Sequence, residues 1–140
     1  MKNKTVFDVN IWVSYFISGK TGKIVEMIKN NDVFFYRSTE LMLELKDVIN
    51  RPKFAKYFPN GVQEYILFVE RFSELFLTEA IFDLCTDPKD NYLFDLAYQS
   101  RSNFLVSGDK KVLAISVKPS LKLLSLSEFK TAIGISPHSA

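Results

Sequence analysis

Four acidic side chains fall where a folded chain could do chemistry with them: Asp8, Glu44, Asp90 and Asp109. Asp8 closes an apolar stretch in TVFDVNIWVS. Glu44 lies in STELMLELKDVIN, Asp90 in DPKDNYLFDLA and Asp109 in FLVSGDKKVL. Carboxylates brought to one place repel one another and are tolerated where a cation neutralises them. An all-oxygen set selects hard ions such as Mg²⁺ or Mn²⁺. Such an ion can orient and deprotonate a water and stabilise charge on phosphoryl oxygens, which suits phosphodiester hydrolysis. That chemistry needs no histidine, and the single one here is His138, near the C-terminus. Each acid also has a plainer reading. Asp8 and Asp109 could be turn residues or helix caps. Asp90 could be an acid favoured by a helix N-terminus. Glu44 could be a solvated helix residue like Glu40 and Asp47.

The elements that must position these acids alternate between two periods. Residues 5–7 read as a buried strand ending at Asp8, and Asn10 opens a helix that Gly19 stops. A helix over 23–30 follows, then the β-rich run VFFY at 33–36. Ser38 or Thr39 caps a helix whose stripe is Leu41, Met42, Leu45, Val48 and Ile49. Pro52 opens a short helix, and Pro59-Asn60-Gly61 breaks the chain. A helix is predicted over 62–75, with Leu75 inward, and a short third strand over 76–80. Pro88 sits near the start of the helix carrying Tyr92, Leu93, Leu96 and Ala97. Strands at 104–107 and 121–125 flank a short helix from Asp109 to Leu113, and a last helix covers 127–132. Residues 134–140 read as a flexible tail after a single domain over 1–133.

Strand alternating with helix predicts an α/β fold with a parallel sheet covered on both faces. In such a sheet all strand C-termini share one rim, so Asp8 and Asp109 are expected on the same edge. The N-terminus of a helix carrying Asp90 can reach that rim if the strand before it joins the sheet. Glu44 reaches it if its helix passes close by.

Bulk composition bounds the rest. At 140 residues the chain suits one domain with one core. Hydrophobic residues make up 47%, with 13 Phe and 6 Tyr, which argues against disorder. A net charge of +2 permits a polyanionic partner without demanding one. The single cysteine, Cys85, excludes an internal disulfide and a multi-cysteine zinc site. The N-terminus lacks a secretory pattern and no apolar run suits a membrane span, so a cytoplasmic protein is the expectation.

The acidic motifs, taken in order, resemble those of PIN-domain ribonucleases, particularly the toxin components of bacterial and archaeal toxin–antitoxin systems. The likeness covers residues 5–129. VFDVNIWVS matches a strand followed by Asp-x-Asn/Ser. STELMLELKDVINRPKF matches the helix that supplies the second acid, Glu44. DPKDNYLFDLA supplies the third, Asp90, and LVSGDKKVL the fourth, Asp109 with Ser107. The resemblance implies an α/β/α sandwich with a central parallel sheet of about five strands. It implies a Mg²⁺- or Mn²⁺-dependent endoribonuclease with Asp8, Asp90 and Asp109 as metal ligands. Glu44 would complete the cluster, Asn10 would brace Asp8 or a water, and Ser107 would support Asp109. It also implies a homodimer and a cognate antitoxin that covers the site. One position departs from the pattern: many relatives carry a second acid after the third-motif Asp, where this chain has Asn91. Asp87 and Asp95 are the nearby acids that could join the site.

RNA phosphates need basic side chains near the acidic rim. Lys110 and Lys111 are best placed, then Arg51 and Lys53. Trp12, Tyr15, Tyr36 and Tyr92 are candidates to stack a base, although core positions suit most of them. The alternative to an enzyme is a PIN-fold binding or scaffold module that no longer cuts. A receiver domain fits less well, because Asp8 is followed by Val9 and Asn10 rather than by a second acid.

Overall fold

The computed structural model describes residues 2–83, 88–115 and 120–136. Among them, β1 (Asn3–Phe7), β2 (Val33–Arg37), β3 (Ser73–Leu75), β4 (Phe104–Val106) and β5 (Lys122–Leu124) form one sheet in the order β3-β2-β1-β4-β5. Every pairing is parallel. Parallel neighbours need crossovers, and helices supply them. They are α1 (Val9–Ile17), α2 (Thr21–Asn30), α3 (Thr39–Ile49), α4 (Gln63–Phe72), α5 (Asn91–Gln99), α6 (Lys110–Leu113) and α7 (Leu126–Ala132). Helices flank the central sheet, as the α/β/α expectation requires.

The middle of the sheet is the most deeply buried part. Val6, Phe7, Leu105 and Val106 have no solvent exposure. Phe7 is the hub of an aromatic cluster. Its ring lies 4.6 Å from Phe35, 5.4 Å from Trp12 and 5.5 Å from Phe129, centroid to centroid, in edge-on packing. Burying one such ring contributes about 1.5–3 kcal/mol, and each good ring pair adds about 0.5–1.5 kcal/mol. The residue after Phe7 is Asp8, so the strand end that carries the acid is anchored in the tightest part of the core. Trp12 and Tyr15 are buried here too. They are core residues and cannot stack on a base. Tyr36 packs on Phe34 and Phe76.

Two boundaries differ from the sequence expectation. The helix predicted over 62–75 stops at Phe72, and the third strand occupies Ser73–Leu75 instead of 76–80. Ser73 takes an extended backbone, with φ −137° and ψ 155°. The Arg37 guanidinium reaches across from β2 to its carbonyl. Leu75, expected inward, is 46% exposed on the edge strand. The second difference is at the C-terminus. Gly134 has φ +92° and closes α7 in a Schellman motif. The Ile135 N–H donates to Lys130 O at 2.8 Å, and the Gly134 N–H donates to Thr131 O at 3.1 Å. Ile135 packs against the core. Residues 134 and 135 therefore finish the last helix rather than begin a loose tail. Residues 137–140, with His138, lie outside the described residues, as do Cys85 and Asp87.

Asp95 has a structural task. It is buried on α5, and its Oδ1 accepts the N–H groups of Ile81 and Phe82, both at 2.9 Å. It pins the strand-to-helix connection to α5 and is not a solvated residue. Hydrogen bonds to a charged acceptor contribute about 1.5–3 kcal/mol each. Asp95→Ala should therefore lower unfolding stability by about 2–4 kcal/mol in urea titration. Asp95→Asn, which keeps one acceptor oxygen, should lose clearly less. Hydrogen exchange should localise the loss to the Ile81 and Phe82 amides. An Ala variant with unchanged stability and unchanged exchange would contradict this role.

Candidate active site

The site grows from the register between β1 and β4. Phe7 pairs with Val106, so the next residues, Asp8 and Ser107, come off neighbouring strands side by side. The Asp8 N–H donates to Val106 O at 2.9 Å and extends the ladder by one bond. The Ser107 hydroxyl then donates to Asp8 Oδ2 at 2.7 Å. The same Ser107 Oγ accepts the Asp109 N–H at 3.0 Å. One buried serine thus ties the first-strand acid to the loop that carries the fourth acid.

Asp8 occupies the N-cap position of α1 but makes no side-chain cap hydrogen bond. Its carboxylate accepts from the Ser107 hydroxyl. It is 8% exposed. Burial lifts its carboxyl above the ordinary carboxylate range, and the charge of Asp109 adds to that. The Ser107 hydroxyl and the amides of Asn10 and Val9 pull the other way without overcoming burial. The Asn10 side chain is exposed and makes no hydrogen bond among the described residues, so its backbone amide is what it gives Asp8. Asp109 itself is exposed. Its Oδ1 caps α6 by accepting the Lys111 N–H at 2.9 Å.

Glu44 and Asp90 arrive from α3 and from the 3-10 turn Pro88–Asp90 that precedes α5. Ser38 caps α3 by accepting the Leu41 N–H at 3.1 Å, and the expected stripe from Leu41 to Ile49 is buried. Glu44 borders that stripe and is half-buried, whereas Glu40 and Asp47 are exposed. The residue that reveals the convergence is Tyr92. Its phenol is pushed far above its ordinary range, first by burial and then by the charges of Asp8, Glu44 and Asp90. Three acids from three separate segments therefore act on one hydroxyl. Tyr92 and Glu44 also share the wall of a groove with Asn91, Leu43 and Phe82. Tyr92, expected as a stacking candidate, instead lies in the electrostatic field of these acids. Its place two residues after Asp90 was the available signal.

Ser107 links Asp8 with Asp109, and Tyr92 feels Asp8, Glu44 and Asp90. Among the described residues, no three His, Cys, Asp or Glu side chains lie together as a ready metal cage. The Asp109 carboxylate is turned toward its own helix. The chemistry of the donors nonetheless fits a hard divalent cation. All are oxygens, and Asp8, Glu44 and Asp109 form no ion pair with Lys or Arg among the described residues. Near them, Asn91 Nδ2 contacts Asp83 Oδ1 at 3.4 Å.

Of the basic residues, Lys110 and Lys111 are exposed directly after Asp109. Arg51 lies beyond the end of α3 and pairs with Asp47 at 3.2 Å. Lys53 is exposed and lies over the Phe54 ring at 4.9 Å. No helix among the described residues is long and apolar enough to cross a membrane.

Comparison with known proteins agrees with the fold. The chain is 27% identical over 119 residues to an uncharacterized protein of Methanocaldococcus jannaschii, covering 82% of this chain and 76% of that protein. The PIN domain family model matches residues 4–111, a span that holds Asp8, Glu44, Asp90, Ser107 and Asp109. PIN domains are typically nucleases and generally use divalent metals. With its five-stranded parallel sheet and acids at the strand ends, the chain belongs to the PIN-domain family.

Proposed function

We propose that the protein is a metal-dependent endoribonuclease, and that it is the toxin of a toxin–antitoxin pair. The observation that carries the first part is the Asp8–Ser107–Asp109 link, with Tyr92 lying in the field of Asp8, Glu44 and Asp90. A buried Asp8 repelled by Asp109, with neither of them nor Glu44 ion-paired to Lys or Arg among the described residues, favours a cation. Asp8, Asp90 and Asp109 would hold Mg²⁺ or Mn²⁺, and Glu44 would complete the cluster. The ion would supply activation of water and neutralisation of phosphoryl charge. The chain's own residues do the rest. Ser107 fixes the orientation of Asp8 by donating to one of its oxygens, and the Val9 and Asn10 amides also favour its charged form. Exposed Lys110 and Lys111 offer charge to RNA phosphates beside the acids. Arg51 would contribute only on release from Asp47.

The toxin reading rests on the family resemblance. A partner antitoxin would lie over the acidic edge, and homodimerisation would cover some of the exposed apolar side chains, such as Leu43, Leu75 and Leu77. A non-cutting binding module is the second reading. It is favoured by Asn91 and by the Asp109 carboxylate turned onto the Lys111 amide.

The test is cleavage of a mixed pool of structured and single-stranded RNAs in Mn²⁺, Mg²⁺ or EDTA. Wild-type protein should cut with metal and stop in EDTA, and Asp8→Asn, purified identically, should be inactive. Metal-dependent cutting retained in that variant would contradict the assignment. No cutting by wild-type protein under any condition would move the reading to the binding module. Ser107→Ala should fold, keep detectable cleavage and lower kcat about tenfold, because it removes orientation and not a ligand. Asp8→Asn carries a second expectation. It keeps an acceptor for Ser107 but removes a buried charge that burial disfavours. Its metal-free Tm should rise by about 2–4 °C. A drop in Tm would show that the Asp8 charge stabilises the fold and is not held there at a cost.

A further inference from the structure

A second cavity lies at the opposite end of the sheet from the acids. It has a volume of about 420 Å³, and its wall includes Tyr15, Lys20, Lys23, Met27, Lys130 and Ile135. Asn31, also in its wall, donates to Ile133 O at 3.1 Å and accepts from Asn3 Nδ2 at 2.7 Å. Asn3 begins β1, and Asp8 follows the end of that strand. A five-residue strand spans roughly 15 Å, so the cavity is remote from the acidic edge.

Three features of the wall point to a ligand. The first is charge. Lys20, Lys23 and Lys130 face a single acid in the wall, Glu26, which pairs with Lys23 at 3.4 Å. Lys20 and Lys130 form no ion pair among the described residues. The second is an unsatisfied group. Tyr15 is 4% exposed, and its hydroxyl has no hydrogen-bond partner among the described residues. An orphaned buried hydroxyl costs about 1–3 kcal/mol, which a ligand oxygen would offset. Burial pushes this phenol up to about 12, so at neutral pH it is an uncharged donor. The third is shape. The volume is that of a small-molecule site, and Met27 and Ile135 give it an apolar side.

The ends of α1, α2 and α7 meet here, and helix C-termini by themselves favour cations. Their carbonyls, however, are capped. The Lys20 N–H donates to Tyr15 O at 2.8 Å, the Asn31 N–H to Met27 O at 3.0 Å and the Ile135 N–H to Lys130 O at 2.8 Å. The lysine side chains are left to set the sign. Two unpaired cations match a dianion better than a carboxylate, and a phosphate monoester carries about −1.5 to −2 at neutral pH.

We propose that this cavity binds a small organic phosphate. Its phosphate sits on Lys20, Lys130 and the Tyr15 hydroxyl, and its organic part lies over Met27 and Ile135. The proposal is independent of the activity at the acidic edge.

The experiment is calorimetry and thermal shift with adenosine 5′-monophosphate as the probe, in EDTA to exclude binding through a metal. Inorganic phosphate and adenosine are the other two arms. The monophosphate should bind and raise Tm, phosphate should bind more weakly, and adenosine should give no shift. Lys20→Ala/Lys130→Ala, checked for folding by circular dichroism, should weaken the monophosphate at least about tenfold. Tyr15→Phe should raise the Tm of the free protein while reducing the ligand-induced shift. A purely packing role for Tyr15 would not produce that opposite pair of effects. No binding of the monophosphate, an equal shift with adenosine, or undiminished binding to the double-lysine variant would each overturn the proposal.

Discussion

The site depends on one buried hydrogen bond, from the Ser107 hydroxyl to Asp8 Oδ2. It joins the ends of two adjacent parallel strands just past their last paired residues, Phe7 and Val106. Without the pairing of β1 with β4, Asp8 would have no neighbour at its depth. Without the aromatic cluster around Phe7, the strand end would not be rigid enough to hold a carboxylate where burial disfavours its charge. Ser107 also receives the Asp109 N–H, so the same atom sets the path of the chain into α6. Fold and candidate site meet at that oxygen.

An unpaired acid in a buried place costs stability unless something compensates. Here the compensation within the protein is partial. A serine hydroxyl and two amides favour the charged form of Asp8, and burial and Asp109 oppose it. Tyr92 reports the same tension from the other side, since Asp8, Glu44 and Asp90 all resist loss of its proton. Strain of this electrostatic kind is common where a fold holds groups for chemistry.

Much of this was legible in the sequence because local signals carried it. The apolar run ending at Asp8, the Ser38 cap and the stripe from Leu41 to Ile49 are short-range patterns, and the parallel sheet follows from their alternation with strands. What was not legible depends on contacts far apart in the chain. FVERFSEL keeps helical spacing through Leu75, yet the helix ends at Phe72 because Ser73 joins β2, where Arg37 meets its carbonyl. Asp95 looks like any helix acid until the amides of Ile81 and Phe82 are found on it. Tyr92 reads as an aromatic core residue, and only the folding together of three segments puts it in the field of their acids. Gly134 was a local signal for a Schellman ending, but its position near the terminus reads equally well as the start of a tail.

The central claim is that the Asp8 edge exists to hold a divalent cation. Titration of Mn²⁺ into metal-free protein, followed by the electron paramagnetic resonance signal of the free ion, tests it most directly. It requires neither the right RNA nor turnover. Saturable binding to the wild-type protein, lost in a folded Asp8→Asn variant, is the predicted result. Wild-type protein that binds no Mn²⁺, or a variant that binds it equally well, would contradict the account.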